Sequence, residues 1–100
     1  MKINKIKVDI INEVFIIDDT PIHYYITKKN NRYVTIQFDW NDIFLSESTC
    51  VNLITYLKTM YRVANGMYGS YVEGYNYESK YIESDGMYLV VKLYFNQPEQ

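Results

Sequence analysis

A hairpin near the C-terminus constrains this chain more than any other feature. Residues 75–95, YNYESKYIESDGMYLVVKLYF, alternate large apolar side chains with charged or polar ones on both sides of the turn ESDG. Alternation with period two marks a strand with one buried face. A slip of one residue sends every side chain to the opposite face, so charge burial can choose the register. A two-residue turn at Asp85-Gly86 would place Lys80 and Glu78 opposite Val91 and Leu93, and burying those charges unpaired costs on the order of several kcal/mol each. A three-residue loop, Ser84-Asp85-Gly86 with Gly86 left-handed, sets Tyr75 against Phe95, Tyr77 against Leu93 and Tyr81 against Leu89. On the other face it brings Glu78 opposite Lys92, a favourable cross-strand pair. This second register predicts a core-facing row of Tyr75, Tyr77, Tyr81, Met87, Leu89, Val91, Leu93 and Phe95. Ile82, Tyr88, Val90 and Tyr94 are left on the outer face.

The same reasoning applies to PIHYYITKKNNRYVTIQFDW, residues 21–40. Val34, Ile36, Phe38 and Trp40 alternate along the second arm and are expected in the core. A two-residue Asn30-Asn31 turn would oppose them with Thr27, Tyr25 and His23. A three-residue loop with Asn31 left-handed opposes them with Ile26, Tyr24 and Ile22, apolar against apolar, and is the expected register. His23, Tyr25, Thr27, Tyr33 and Thr35 then join the outer face. Upstream, KIKVDI alternates Ile6, Val8 and Ile10 with polar residues, and EVFIID continues the pattern after a bulge or turn at Asn12. Asp18, Asp19 and Pro21 close that segment with loop chemistry.

One helix is predicted, over SESTCVNLITYLKTMYRVANG. Cys50, Leu53, Ile54, Leu57, Met60, Tyr61 and Ala64 recur at three- and four-residue spacing and form one apolar stripe. Ser46 is the expected N-cap, Glu47 sits at the positive end of the dipole, and Asn65-Gly66 forms the stop. The elements together predict a two-layer α+β domain spanning residues 1–100, an antiparallel sheet of about four to six strands packed on one α-helix.

Composition narrows the function classes. The net charge of −2 argues against a protein held on phosphate backbones by overall charge. A single cysteine, Cys50, makes no disulfide framework and points to a reducing, cytoplasmic compartment. The N-terminal apolar run is interrupted by Asp9, Asn12 and Glu13, so it reads neither as a signal peptide nor as a membrane span. No metal-ligand spacing or cofactor motif is visible. His23 is the one histidine, and an enzyme built on it would need an orienting group such as Asp39 or Gln37 across the strand. The 12 tyrosines, with abundant Ile, Asn and Lys, fit an AT-rich genome such as that of a low-GC bacterium, a phage or an archaeal virus.

Tyrosines are also what the functional expectation rests on. Tyr25, Tyr33, Tyr88, Val90 and Tyr94 are expected on an outer face whose many aromatics suit a binding or dimerisation surface. The alternative is that tyrosine merely fits half-exposed strand positions and pairs well across strands. The segment NGMYGSYVEGYNYES, residues 65–79, mixes Tyr, Gly, Ser and Asn as antibody combining loops do. Its Tyr68, Tyr71 and Glu73 are expected either as partner contacts on a binding loop or as part of a short edge strand, SYVE. The leading expectation is a non-enzymatic protein-binding module, of the kind mobile elements use to inhibit a host enzyme or defence complex, with homodimerisation as a sub-case. The alternatives are nucleic-acid binding through Lys28, Lys29 and Arg32 beside Tyr25 and Tyr33, and a small enzyme using His23.

Overall fold

The computed structural model describes residues 5–9, 11–65 and 71–96. In chain order these form β1 (Ile6–Asp9), β2 (Val14–Ile17), β3 (Thr20–Lys29), β4 (Tyr33–Asp39), a short 3-10 helix (Asp42–Leu45), α1 (Glu47–Asn65), β5 (Tyr71–Ile82) and β6 (Gly86–Asn96). The strands make one six-stranded antiparallel sheet in the order β1-β2-β3-β4-β6-β5. The chain is thus a two-layer α+β fold. β1 to β4 form a meander, and α1 carries the chain past β6 to lay β5 on the far edge.

The core lies between one face of the sheet and α1. Phe15, Ile17, Ile22, Val34, Ile36, Phe38, Leu89, Val91 and Leu93 face Cys50, Leu53, Ile54 and Leu57 of the helix, and all of them are buried. Both hairpins therefore turn the face inward that their alternation predicts, and Glu78 and Lys80 stay exposed. Met60 packs at the margin, while the side chains of Tyr61 and Ala64 lie outside the described residues, as does Ile10. Phe15 is the aromatic hub, with its ring edge-on to Tyr24 at 4.9 Å, Phe38 at 5.4 Å and Tyr56 at 6.1 Å. The 3-10 helix is not anticipated by the hydrophobic pattern. It inserts Phe44 into the core against Trp40 and Phe38, and Asn41 caps it by accepting from the Ile43 N–H at 3.1 Å. Ser46 follows directly. Its carbonyl accepts from the Cys50 N–H at 3.2 Å, as an N-cap residue's should.

The turns differ from expectation in instructive ways. Asp18 and Asp19 alone make the β2–β3 turn, with φ of 48° and 69°. Pro21 belongs to β3, opposite Ile16, in a non-hydrogen-bonded position next to the closing pair Ile17–Thr20, so its missing N–H costs the β2–β3 ladder nothing. In the β3–β4 hairpin the left-handed Asn31 loop is not formed. Asn30 pairs back to Tyr33, its side chain accepts from the Arg32 and Tyr33 N–H groups, and Asn31-Arg32 make a tight turn. This turn sets Lys29 opposite Val34, and a bulge between Ile26 and Lys28 then restores the expected pairs Ile26–Ile36 and Tyr24–Phe38.

The β5–β6 hairpin slips by two residues from the expected register. The loop is Glu83–Asp85, with φ +73° at Ser84, and Gly86, φ +95°, opens β6 opposite Ile82. Tyr75 pairs with Leu93, Tyr77 with Val91 and Tyr81 with Met87. Glu78 lies opposite Val90 and not Lys92, which faces Asn76 instead, so the expected charge pair is not made. A slip of two keeps every residue on its predicted face and changes only its partner. It also leaves Tyr81 out of the core. Tyr81 is 70% exposed, Met87 42% and Tyr75 39%, so of the three tyrosines expected in the core only Tyr77 packs against it.

Candidate functional site

The outer face follows from the strand pairings. Tyr33 lies beside Tyr94, Thr35 beside Lys92, Gln37 beside Val90 and Asp39 beside Tyr88 across the β4–β6 seam. β3 adds Tyr25 next to Gln37 and Lys28 next to Thr35, and β5 adds Asn76, Glu78 and Lys80. No described element covers this side. Tyr25 is 44% exposed, while Tyr33, Tyr88, Val90 and Tyr94 are half-buried against their cross-strand neighbours.

One end of the face is an aromatic and cationic cluster. The Tyr33 and Tyr94 rings lie 6.4 Å apart, and the Lys92 ammonium sits 4.0 Å from the Tyr33 centroid and 5.2 Å from that of Tyr94. Lys28 reaches the same Tyr33 ring at 5.6 Å. Cations over ring faces are attracted by the ring quadrupole. A hydrogen bond from Lys28 pulls the Tyr33 phenol below its ordinary pKa, helped by the positive charges of Lys28 and Lys92, and the same bond raises Lys28. Asn76 donates to the Tyr94 hydroxyl at 3.2 Å and fixes that ring. The middle of the face is a shallow concavity of about 430 Å³ lined by Thr35, Asn76, Tyr77, Glu78, Val90 and Lys92. At the far end, Tyr88 donates to the Asp85 carbonyl at 3.1 Å, and Tyr25 lies near Asp39. Partial desolvation raises the Tyr25 phenol first, with the Asp39 carboxylate adding to it.

Five of the expected partner-binding residues, Tyr25, Tyr33, Tyr88, Val90 and Tyr94, are therefore gathered on one surface. The other three are not part of it. Tyr68 lies outside the described residues. Tyr71 and Glu73 belong to the start of β5, paired to β6 with a bulge between Val72 and Gly74, so 71–74 is edge strand and not loop. The Tyr71 ring lies outside the described residues, and Glu73 is exposed. The basic hairpin tip is split: Lys28 points to the outer face, Lys29 opposes Val34 on the helix side, and Arg32 occupies the turn. Lys92 takes the place beside Tyr33 that Lys29 does not. The sequence hides this because β4 and β6 are separated by the whole helix, and nothing local sets their register. His23 is exposed and pairs across to Val14. Among the described residues no three His, Cys, Asp or Glu side chains gather as a metal site would require, and no helix is long and apolar enough to cross a membrane. Comparison with protein families, curated proteins and solved structures returns no match.

Proposed function

We propose that this chain is a non-enzymatic protein-binding module that seats the open face of its sheet on a protein partner. The observation that carries this reading is the gathering of Tyr25, Tyr33, Tyr88, Val90 and Tyr94 on the face that the helix leaves bare. Half-buried tyrosines held by cross-strand neighbours offer large, rigid contact area at little further loss of entropy. Lys28 and Lys92 at one end and Asp39 at the other supply mixed charge for orientation. In the mobile-element setting that the composition fits, such a module acts in the host cytoplasm by covering the surface of a host enzyme or defence complex.

The test is a paired substitution, Tyr88→Ser with Tyr94→Ser. Both side chains are half-buried on the outer face, away from the helix-side core, so the fold should survive. Affinity for a partner captured from host lysate is expected to fall ten- to a hundredfold, roughly 1–3 kcal/mol for two anchors at an interface. Unchanged affinity ends the reading. A second reading is favoured by the two ammonium groups on Tyr33, which would let the same end of the face hold single-stranded nucleic acid. Salt-dependent retention on single-stranded DNA or RNA, lost in Lys28→Ala and Lys92→Ala, would transfer the function to that class.

A further inference from the structure

We propose that β5 is a self-pairing edge, through which two copies of this chain join antiparallel about a two-fold axis at Ser79 and make one continuous sheet. The sheet has two edge strands among the described residues. β1 has 4 residues and β5 has 12, so β5 is the long one. From Gly74 to Ile82 its pairing with β6 is unbroken, and every residue from Tyr75 to Tyr81 except Tyr77 is exposed.

The direction of the edge's hydrogen-bonding groups follows from bonds further in. Trp40 donates to the Met87 carbonyl at 3.3 Å, and Phe95 donates to the Arg32 carbonyl at 2.7 Å. Odd-numbered residues of β6 thus turn their backbone groups towards β4, and the even-numbered ones turn towards β5. Their partners on β5 are also even: Asn76 with Lys92, Glu78 with Val90, Lys80 with Tyr88. Tyr75, Tyr77, Ser79 and Tyr81 therefore aim N–H and C=O outwards, to the side where no strand lies among the described residues. Such a row is a template for another strand.

Side-chain chemistry then selects the occupant and the register. A two-fold axis at Ser79 puts Glu78 opposite Lys80 of the second copy and Lys80 opposite its Glu78. These fall in non-hydrogen-bonded positions, where facing side chains come closest. On the helix side, Tyr77 of each copy meets Tyr81 of the other, which covers the tyrosine that is 70% exposed. Moving the axis to Glu78 or to Lys80 sets like charges against each other. Moving it to Tyr77 leaves Lys80 facing Gly74. The Ser79 axis makes both opposite-charge pairs and both aromatic pairs at once, a self-complementarity that an isologous interface demands and an unrelated partner would not. The pairing does not depend on the outer face being a binding surface.

Light scattering and sedimentation of the full chain test this. The wild type is expected to dimerise, and Glu78→Lys and Lys80→Glu should each weaken the dimer by about tenfold, since each sets two like-charge pairs in place of two attractive ones. Mixing the two variants, or combining both exchanges in one chain, should restore it. Amides of Tyr77, Ser79 and Tyr81 should gain hydrogen-exchange protection with rising protein concentration. Both reversed residues are exposed, so the fold tolerates either exchange. A wild type monomeric at every accessible concentration overturns the proposal, as does a dimer indifferent to both single reversals. A dimer lost instead in Tyr88→Ser/Tyr94→Ser would move the self-contact to the outer face and overturn it too.

Discussion

Cys50 shows how much a single buried position can hold. Its thiol is 1% exposed and donates to the Phe44 carbonyl at 3.3 Å, so it ties the helix to the 3-10 turn that precedes it. Burial, the largest cause, pushes the thiol above its ordinary pKa of 9.0. A raised folded-state pKa means the native state holds its proton longer than the unfolded chain. The corresponding stability is present below pH 9.0 and is lost as pH climbs from there through the folded value. Cys50→Ala is expected to be less stable than wild type at neutral pH, with the gap narrowing above pH 9.0; urea midpoints across that range check it. A gap of constant size would mean the thiolate is not excluded. At this scale the aliphatic core was legible, because alternation and helical spacing name Val34, Ile36, Leu89, Val91, Leu53 and Leu57 directly. Phe44 was not. Its 3-10 helix has 4 residues, too few to establish a period.

Elements were legible by face and illegible by partner. Hydrophobic alternation fixes which side of a strand is wet, and any slip by an even number of residues preserves that answer. The exact pairing depends on turn geometry, and here the decisive conformations were at Ser84 and Gly86 in one hairpin and at the Thr27 bulge in the other. That is why the Glu78–Lys92 pair and the burial of Tyr81 failed while the two faces survived. The two described glycines separate conformational need from mere tolerance. A Cβ on either would meet nothing within 4 Å, but only Gly86 has a positive φ, at 95°. Gly86→Ala is expected to cost roughly 1–2 kcal/mol through backbone strain alone. Gly74→Ala should be neutral or stabilising by up to about 1 kcal/mol, since it restricts the unfolded chain without straining the folded one. Chemical denaturation of both variants compares them directly, and equal effects would contradict the turn geometry.

Across the whole molecule, stability should fall from the middle of the sheet outwards. β4 and β6 are flanked by strands on both sides, and their helix-facing residues Val34, Ile36, Phe38, Leu89, Val91 and Leu93 are 0–1% exposed. β1 is short and has no fully buried side chain. Native-state hydrogen exchange is expected to show the slowest amides in β4 and β6 and the fastest in β1. Comparable protection in β1 would indicate packing beyond what the sheet provides. The β4–β6 seam has a further consequence. It is the one line along which the N-terminal meander and the C-terminal hairpin touch within the sheet, and Tyr33 and Tyr94 face each other across it. Anything gripping that ring pair holds both halves of the chain, bridging strands that lie on either side of the helix in sequence. Such a ligand would act as a rivet: its binding energy would resist separation of the halves, and the melting temperature would report its occupancy.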